Sequence, residues 1–499
     1  MQIHPGIHGS PTMRLTSDPW KLLYLAIVIL FPLQVFAQAG ARVDARPNVI
    51  LCMADDQGWG DTAYNGHPVL KTPNLDDMAN RGLRFDRFYA AAPVCSPTRA
   101  SVLTGRTPNR MGTFKWGHPI RPQELTIAEA LKKAGYATGH FGKWHLGSVR
   151  TGSPVNPGAS GFEHWLSAEN FYDNDPILSL EGKAVELKGE SSMIVADAAI
   201  DFIRRQREAG SPFLAVVWFG SPHDPHRAAP EDLAHYKGMK HDHWMGEITG
   251  LDRAVGRLRA ALRDMNIADN TLLWYCSDNG GLQMASSGGR AKKGSIYEGG
   301  LRVPGIIEWP ARVGSPRAVA APAVTCDIYP TLLEIIGLKM DKQPVLDGVS
   351  LLPIIDGKAE VDRKGIGFWD HPTAGIGAHS DTMMRQLLEA QKRGDADGAG
   401  GGPGEDPLLR KDAGEIKRQH PEDRFPGHAA WLQYPWKLHR IEGKDGKLSF
   451  ELYHLVNDPM EAKDLWGTDP KTSKTQERMK GELEAWLASV ARSLNGKDY

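Results

Sequence analysis

A chain of 499 residues is long enough for one large domain and a smaller one. Its 59 Lys and Arg residues balance 60 Asp and Glu residues, so net charge favours neither a nucleic acid nor a lipid surface as a partner. The apolar share of 41% and the charged share of 24% exclude an intrinsically disordered chain.

The N-terminus predicts a secretory signal peptide over residues 1–39. Lys21 precedes a short apolar run at 22–31, and an Ala-Gln-Ala cleavage site follows at 37–39. The run is short for a membrane span and Pro32 interrupts it, so we expect no stable membrane insertion. The mature protein is therefore expected to be secreted or periplasmic.

Apolar runs alternate with helical patterns over residues 47–277, which favours an α/β fold with a mostly parallel sheet. Strands covered on both faces are predicted at 47–54, 136–141, 212–219 and 271–277. Helices are predicted at 74–83, 126–133, 193–208 and 243–265, and a capping box at Thr126 opens the second. A polar cluster follows each strand, and ligands bind at this edge of open α/β sheets.

Two of the four cysteines, Cys52 and Cys276, lie within these apolar runs and are predicted to fill the core. The four cysteines do not form the pattern of a disulfide framework. A single bridge between Cys52 and Cys276 stays open at this point.

The last part of the chain predicts a small antiparallel sheet with one helix, packed on the main domain. A helix is expected at 383–392, a mobile Gly-rich loop at 394–406, and then strands at 430–434, 436–439 and 448–453 with a final helix through 479–494. We therefore divide the mature chain into a catalytic domain at 40–370, an insertion at 371–426 and a C-terminal α+β subdomain at 427–499.

The stretch Cys-Ser-Pro-Thr-Arg at 95–99 is the centre of the prediction. Its proline suits the first turn of a helix, so we expect Ser96 to cap that helix and Cys95 to lie just before it. Free N–H groups at a helix N-terminus attract an anion, and Arg99 adds a permanent positive charge. A nucleophile in this position suits chemistry on a sulfate or phosphate ester, although Cys95 alone reads equally well as a buried loop cysteine.

Hard oxygen donors follow two of the predicted strands. Asp55 and Asp56 come directly after the first strand, and Asp278 and Asn279 follow the strand at 271–277. Three carboxylates and an amide suit Ca²⁺ or Mg²⁺, and calcium fits their looser geometry better. Taken singly, the Asp pair reads as a helix cap or a solvated turn.

Cationic and imidazole side chains gather at the same predicted edge. Lys143 and His145 follow the second strand, His223 follows the third, and Lys292 and Lys293 lie in a Gly-rich loop. Each of them alone is at least as readily a surface or turn residue. Together with the arginine at 99 they predict a pocket for a dianionic ester or leaving group.

These motifs resemble those of the type I sulfatases. The match covers Cys-x-Pro-x-Arg followed by Ala-Ser-x-Leu-Thr-Gly-Arg at 95–106, and it continues at 55–61, 142–147, 277–281, 293–304 and 451–459. The resemblance implies an alkaline-phosphatase-like fold, in which helices flank a large mixed, mostly parallel sheet and a smaller antiparallel sheet with one helix follows. Residues 370–426 match no pattern of that family.

The resemblance also implies site roles. Cys95 would be oxidised by a formylglycine-generating enzyme to Cα-formylglycine, whose hydrate is the nucleophile. Asp55, Asp56, Asp278 and Asn279, with residue 95, would hold the metal ion. The remaining roles would be positioning of the hydrate by Arg99 and His145, sulfate binding by Lys143 and Lys293, and protonation of the leaving group by His223.

Two of these assignments involve a choice between neighbours. His223 stands in a His-x-Pro motif and matches the family better than His226. Lys293 directly precedes a glycine, as the motif requires, and Lys292 does not.

The predicted function is hydrolysis of a sulfate ester on a small molecule or glycan, with a carbohydrate or an aryl group as the leaving group. A phosphodiesterase or phosphonate hydrolase on the same scaffold is the first alternative, since the charge of the pocket also suits phosphate. An inactive relative that binds sulfated glycans is the second alternative.

Overall fold

Strands in this protein fall into three sheets in the computed structural model, which describes residues 46–394 and 407–499. The predicted signal peptide and all but the first residue of the predicted Gly-rich loop lie outside these residues. Within them, no helix has the length and apolar character needed to cross a membrane.

The strands, in chain order, are β1 (Asn48–Ala54), β2 (Leu83–Phe85), β3 (Phe88–Tyr89), β4 (Ala137–Lys143), β5 (His164–Ala168), β6 (Ile177–Leu180), β7 (Lys183–Glu186), β8 (Phe213–Trp218), β9 (Thr271–Ser277), β10 (Arg302–Val303), β11 (Gly305–Glu308), β12 (Arg317–Val319), β13 (Ala323–Val324), β14 (Ile366–Asp370), β15 (His428–Gln433), β16 (Trp436–Glu442) and β17 (Leu448–His454). The helices are α1 (Pro73–Arg81), α2 (Cys95–Thr104), α3 (Ile127–Lys133), α4 (Ser191–Ala209), α5 (Pro230–Leu233), α6 (Asp242–Asp264), α7 (Glu298–Leu301), α8 (Ile328–Ile336), α9 (Leu352–Ile355), α10 (Ser380–Lys392) and α11 (Ser473–Leu494).

The main sheet has the strand order β12-β2-β11-β9-β1-β8-β4-β5-β6-β7. Its centre is parallel, because β1 pairs with β8 and β9, and β4 pairs with β8 and β5, all in the same direction. The strand β11 runs antiparallel to β9 and β2, and β6 runs antiparallel to β5 and β7. The predicted mixed, mostly parallel sheet is confirmed.

Burial on both faces explains the continuous apolar sequence of the central strands. In β1, Val49 and Leu51 pack into the core on one side of the sheet, and Ile50 and Cys52 pack into the core on the other side. Cys276 of β9 belongs to the first of these cores, so Cys52 and Cys276 lie on opposite faces. Both thiols are free, which confirms that they fill the core and do not form a bridge.

Local signals placed one helix start correctly and one wrongly. The capping box of α3 is present, since Glu129 N donates to Thr126 Oγ1 at 3.1 Å and Thr126 N donates to Glu129 Oε2 at 2.8 Å. Ser96 does not cap α2, because the helix already begins at Cys95 and Val94 holds the extended cap conformation. The Ser96 hydroxyl instead accepts a hydrogen bond from Gly117 N at 2.8 Å.

The C-terminal strands form an antiparallel sheet of order β14-β15-β16-β17, as the sequence predicts. The helix α11 packs on it through Met479, Leu483 and Leu487, which meet Ala429 and Leu438 of the sheet. The first strand, β14, comes from residues before the predicted insertion. The division into domains at 370 and 426 stays a prediction.

Candidate active site

Four neighbouring strands deliver the predicted site residues to one edge of the main sheet. Asp55 and Asp56 follow β1, Lys143 ends β4, and Asp278 follows β9. The chain after β8 reaches the same place through the turn that carries His223. Because these strands are parallel, their carboxyl ends meet, and the N-terminus of α2 faces them with Cys95 and Arg99.

The acidic residues after β1 and β9 contact one another directly. Asp56 N donates to Asp278 Oδ1 at 3.1 Å, and Asn279 Nδ2 donates to Asp56 Oδ1 at 2.8 Å. Asp56 has a φ of 70°, a left-handed conformation that is uncommon outside glycine and is concentrated at functional sites. All of these side chains are fully buried.

Each buried carboxylate has its own cation. Lys143 Nζ donates to Asp55 Oδ2 and Lys293 Nζ donates to Asp56 Oδ2, both at 2.6 Å. Arg99 donates twice to Asp278 Oδ2, from Nη2 at 2.6 Å and from Nε at 3.1 Å. Unpaired buried charges cost many kcal/mol, so this pairing is what allows three carboxylates to lie together.

The pKa values of the acidic pair diverge. Burial pushes the pKa of Asp55 upward; Lys143 opposes the rise, and the neighbouring carboxylates of Asp278 and Asp56 add to it. Burial also acts to raise the pKa of Asp56, but Lys293 and His223 together hold that pKa below its usual range. Two adjacent carboxyl groups with opposite shifts are typical of functional sites.

Arg99 is held rigidly behind residue 95. Its Nη1 donates to the Lys143 carbonyl at 3.0 Å, and its guanidinium lies 5.2 Å from the centre of the Trp218 ring. Cys95 is the first residue of α2, is buried and carries a free thiol. Burial raises the pKa of this thiol, although Lys143 and Lys293 partly oppose the effect.

The two histidines predicted for the site differ in their contacts. Neither ring nitrogen of His145 has a hydrogen-bond partner among the residues that the structure describes, and burial, with Lys143 next, holds its pKa well below the usual range. His223 Nε2 lies 3.7 Å from Asp56 Oδ2, and its Nδ1 lies 2.5 Å from the Asp224 carbonyl oxygen. Burial lowers the pKa of His223 to about 4, with Asp56 opposing.

The structure distinguishes the two members of each pair of neighbours that the sequence analysis compared. His226 contacts Glu247 instead of the acidic residues after β1 and β9, and its Nδ1 lies 3.2 Å from Glu247 Oε2. Lys292 is exposed and donates to the Leu282 carbonyl at 3.0 Å, whereas Lys293 reaches Asp56. The geometry therefore brings His223 and Lys293 into the cluster and leaves the other two outside it.

The sequence model of the family Sulfatase matches residues 47–338, which is more than half of the chain. The chain belongs to the sulfatase family. The resemblance of its motifs to type I sulfatases is thereby confirmed, and the protein is a sulfuric ester hydrolase.

Individual relatives agree with this assignment. The chain is 32% identical over 384 residues to N-acetylgalactosamine-6-sulfatase of Canis lupus familiaris, with 69% of this chain and 71% of that protein covered. It is also 32% identical over 383 residues to arylsulfatase A of Bos taurus, with 68% and 74% covered. Both relatives are sulfatases by name.

Solved structures share the fold over most of the chain. The crystal structure of Ps i-CgsB in complex with k-i-k-neocarrahexaose gives a TM-score of 0.70 at 25% identity and covers 89% of this chain and 93% of that one. The phosphonate monoester hydrolase of Agrobacterium radiobacter gives 0.55 at 19% identity, with 91% and 96% covered, and shares the fold alone. The alkaline-phosphatase-like architecture expected from the sequence is confirmed.

In this sulfatase, unpartnered oxygens mark where a metal ion fits. Asp55 Oδ1 and Asn279 Oδ1 are buried and accept no hydrogen bond within the part of the chain that the structure describes. Asp55, Asp56 and His223 offer ligand atoms within 4.8 Å of one another. Carboxylate and amide oxygens are the donors of a Ca²⁺ or Mg²⁺ site, so the residues present fit a divalent cation.

One contact of this sulfatase site had no signal in the sequence. The Phe171 ring stacks on the His223 imidazole, with centroids 5.2 Å apart and planes 26° apart. Phe171 lies between β5 and β6, in a segment with neither periodicity nor a motif. Only the tertiary fold brings it to His223.

Proposed function

We propose that this sulfatase hydrolyses a sulfate ester of a carbohydrate, with Cα-formylglycine made from Cys95 as the source of its nucleophile. The observation that carries the proposal is the position of Cys95 at the N-terminus of α2, one turn before Arg99. Lys143 and Lys293, which already bind carboxylates, act electrostatically on its thiol. A relative named N-acetylgalactosamine-6-sulfatase and a neighbour bound to k-i-k-neocarrahexaose support a glycan as the substrate class.

Formation of the nucleophile requires a formylglycine-generating enzyme as a maturation partner. The hydrate of formylglycine would supply the attacking oxygen and, through its second hydroxyl, a route for releasing sulfate that an ordinary serine lacks. Both ring nitrogens of His145 lack a hydrogen-bond partner within the described part of the chain, so they are available to residue 95. Asp278 holds Arg99 in place, and its remaining N–H donors can orient the same residue.

The metal proposed for the site is Ca²⁺. Asp55, Asp56, Asp278, Asn279 and residue 95 would hold it, and Mg²⁺ fits less well because it demands a stricter octahedral geometry. A bound divalent cation would supply positive charge that favours an ionised oxygen at residue 95. The unpartnered oxygens of Asp55 and Asn279 support this assignment.

Lys143 and Lys293 are proposed to hold the sulfate group. An ammonium group has three N–H donors, and each of these two lysines directs one donor to a carboxylate of the acidic pair. The remaining donors can meet sulfate oxygens as charge-assisted hydrogen bonds. Their pairing with Asp55 and Asp56 also fixes where the two ammonium groups stand, which costs no reorganisation during reaction.

His223 is proposed to protonate the leaving alcohol. The contact of its Nδ1 with the Asp224 carbonyl fixes the tautomer, and stacking on Phe171 fixes the ring plane. Without substrate its pKa of about 4 is set by burial and by two nearby lysines, with Asp56 opposing. An anionic ester beside those lysines offsets their charge and favours the protonated imidazole.

Secretion is proposed from the N-terminal sequence. Lys21, the apolar run at 22–31 and the Ala-Gln-Ala site at 37–39 are the three parts of a cleavable signal peptide. N-terminal sequencing of protein recovered outside the host cytoplasm tests this, and a mature chain beginning at Gly40 is the expected result.

The function is tested by comparing esters on one preparation from the native host. Release of inorganic sulfate from sulfated mono- and oligosaccharides and from p-nitrophenyl sulfate, absent in Cys95→Ala, is the expected result. Hydrolysis of p-nitrophenyl phosphate or phenylphosphonate alone would replace the proposal with the phosphoester alternative. Binding of sulfated glycans by modified protein without release of sulfate would favour an inactive binding protein.

A further inference from the structure

One pocket separate from the candidate active site is lined by residues of the loop that contacts α2. It is a cavity of about 400 Å³ between the loop at 111–121, the segment at 373–376 and the segment at 410–420. Asn495 bonds to both backbone groups of His420, so the third wall is fixed to the end of α11. None of the residues of this pocket has a role in the reaction described above.

Direct contacts connect this pocket to the helix that carries residue 95. Gly117 N donates to Ser96 Oγ at 2.8 Å, and the next residue, His118, lines the pocket. Successive Cα atoms are about 3.8 Å apart, so the pocket begins one residue beyond the contact with α2. Ile376 N donates to the Trp116 carbonyl at 2.9 Å, which joins the second wall to the same loop.

The pocket carries an excess of positive charge. Two carboxylates line it, those of Asp412 and Glu415. Four cationic side chains line it with them: Arg121, Arg410, Lys417 and Arg418. Lys417 pairs with Asp412, and Arg121 donates to the Leu494 carbonyl at 2.8 Å. Within residues 46–394 and 407–499, neither the Arg410 nor the Arg418 guanidinium has a hydrogen bond or an ion pair within 4.0 Å, although the Arg410 charge also acts on Asp412 and Glu169.

The imidazoles of His371, which is buried, and His420, which is half-buried, lie in the same positive field. Burial lowers the pKa of His371 to about 4, and His420 and Arg418 lower it further. The pKa of His420 is lowered by burial and then by Arg418 and Arg121. A positive field at this pocket favours any anion that enters it.

We propose that this pocket binds a second anionic group of the glycan, a sulfate or a carboxylate, while the sulfate to be removed lies at residue 95. The proposal rests on the proposed function and assigns Arg410 and Arg418 as specificity-determining residues. Guanidinium groups match the oxygens of sulfate and carboxylate in a bidentate geometry. Phe114 and Ile376 line the same pocket and offer apolar surface to the sugar ring that carries the group.

The test is the affinity of the full mature protein for a heparin tetrasaccharide and for its chemically desulfated counterpart, measured by calorimetry at low ionic strength. The variant is the double substitution Arg410→Ala with Arg418→Ala. The matched control is Arg205→Ala with Arg207→Ala, which removes the same charge from exposed positions of α4. Loss of two charge-assisted contacts predicts about tenfold weaker binding in the first variant only.

The two probes separate the sources of the anion. A loss confined to the sulfated probe identifies sulfate, and an equal loss with both probes identifies carboxylate. Binding by the first variant within twofold of wild type, an equal loss in the control, or no binding by wild type would overturn the proposal. Hydrolysis of p-nitrophenyl sulfate by wild type is assayed separately, so failure of the proposed function is distinguished from failure of this pocket.

Discussion

Lys293 Nζ lies 2.6 Å from Asp56 Oδ2, and this ion pair joins the loop at 288–294, which precedes α7, to the acidic pair after β1. Burial alone would lower the pKa of Lys293, but Asp56, with the Cys95 thiol and Asp55, raises it above the usual range. The ammonium group therefore stays charged at neutral pH. We propose that it donates to an oxygen of the sulfate group.

The substitution Lys293→Ala is expected to lower kcat/KM for p-nitrophenyl sulfate by roughly 100-fold, because a fixed positive donor to the sulfate group is lost. Lys292→Ala is the matched control, since its ammonium group contacts only the Leu282 carbonyl and is exposed. Steady-state kinetics of both variants make the comparison. Equal losses in the two variants would remove Lys293 from the sulfate site.

His223→Ala is expected to slow the hydrolysis of sugar sulfates more than the hydrolysis of p-nitrophenyl sulfate. The sugar alcohol is a poor leaving group that needs a proton in the transition state, whereas nitrophenolate leaves without one. General acid catalysis contributes roughly 10²- to 10⁴-fold, which bounds the loss expected for the sugar ester. The control is His226→Ala, whose imidazole contacts Glu247 instead of Asp56. A loss that is the same for both esters would contradict the role of leaving-group acid.

Removal of divalent cations is expected to abolish sulfate release and to lower the thermal unfolding midpoint. The reason for the second effect is that Asp55, Asp56 and Asp278 lie together in a fully buried site, where a bound cation would offset their repulsion. Calcium should restore both properties at a lower concentration than magnesium. Full activity of protein shown by elemental analysis to be metal-free would contradict the assignment.

Acid is expected to destabilise the protein through His371, which is buried, stacks on Phe114 and has a pKa of about 4. In the unfolded chain the His371 imidazole has its ordinary pKa of about 6.5, so between about pH 6.5 and pH 4 the unfolded chain binds a proton that the folded chain does not. The free energy of unfolding therefore falls as the pH drops through this range. One such group contributes at most about 1.4 kcal/mol per pH unit. Urea unfolding at pH 7 and pH 4.5 should show a smaller acid loss in His371→Phe, and an equal loss would contradict this.

Continuous burial is what made the central strands predictable. The strand β9 occupies Thr271–Ser277 as predicted, because every one of its side chains is buried and the apolar run ends where the polar edge begins. The strands β2, β11 and β12 have three or four residues each, too few for a pattern to form. The outer strands β6 and β7 expose part of their residues and lack a continuous run.

The candidate site was predictable for the opposite reason, since its residues lie in short motifs at strand ends. The choice of His223 over His226 and of Lys293 over Lys292 came from motif position, and the geometry places the chosen residues in the cluster. Ser96 was misplaced as a cap, and Cys95 as a residue before the helix, because α2 begins two residues earlier than expected, with Val94 as its cap. Phe171 and the pocket of Arg410 and Arg418 arise from tertiary contacts that leave no local trace.

The most direct test of the central claim is the mass of the peptide that contains residue 95, taken from protein made in its own host and matched to its rate of sulfate release. A mass of the aldehyde or its hydrate, with activity that scales with the modified fraction, is the result that we predict. An unmodified Cys95 thiol in protein that releases sulfate at full rate would contradict the formylglycine mechanism.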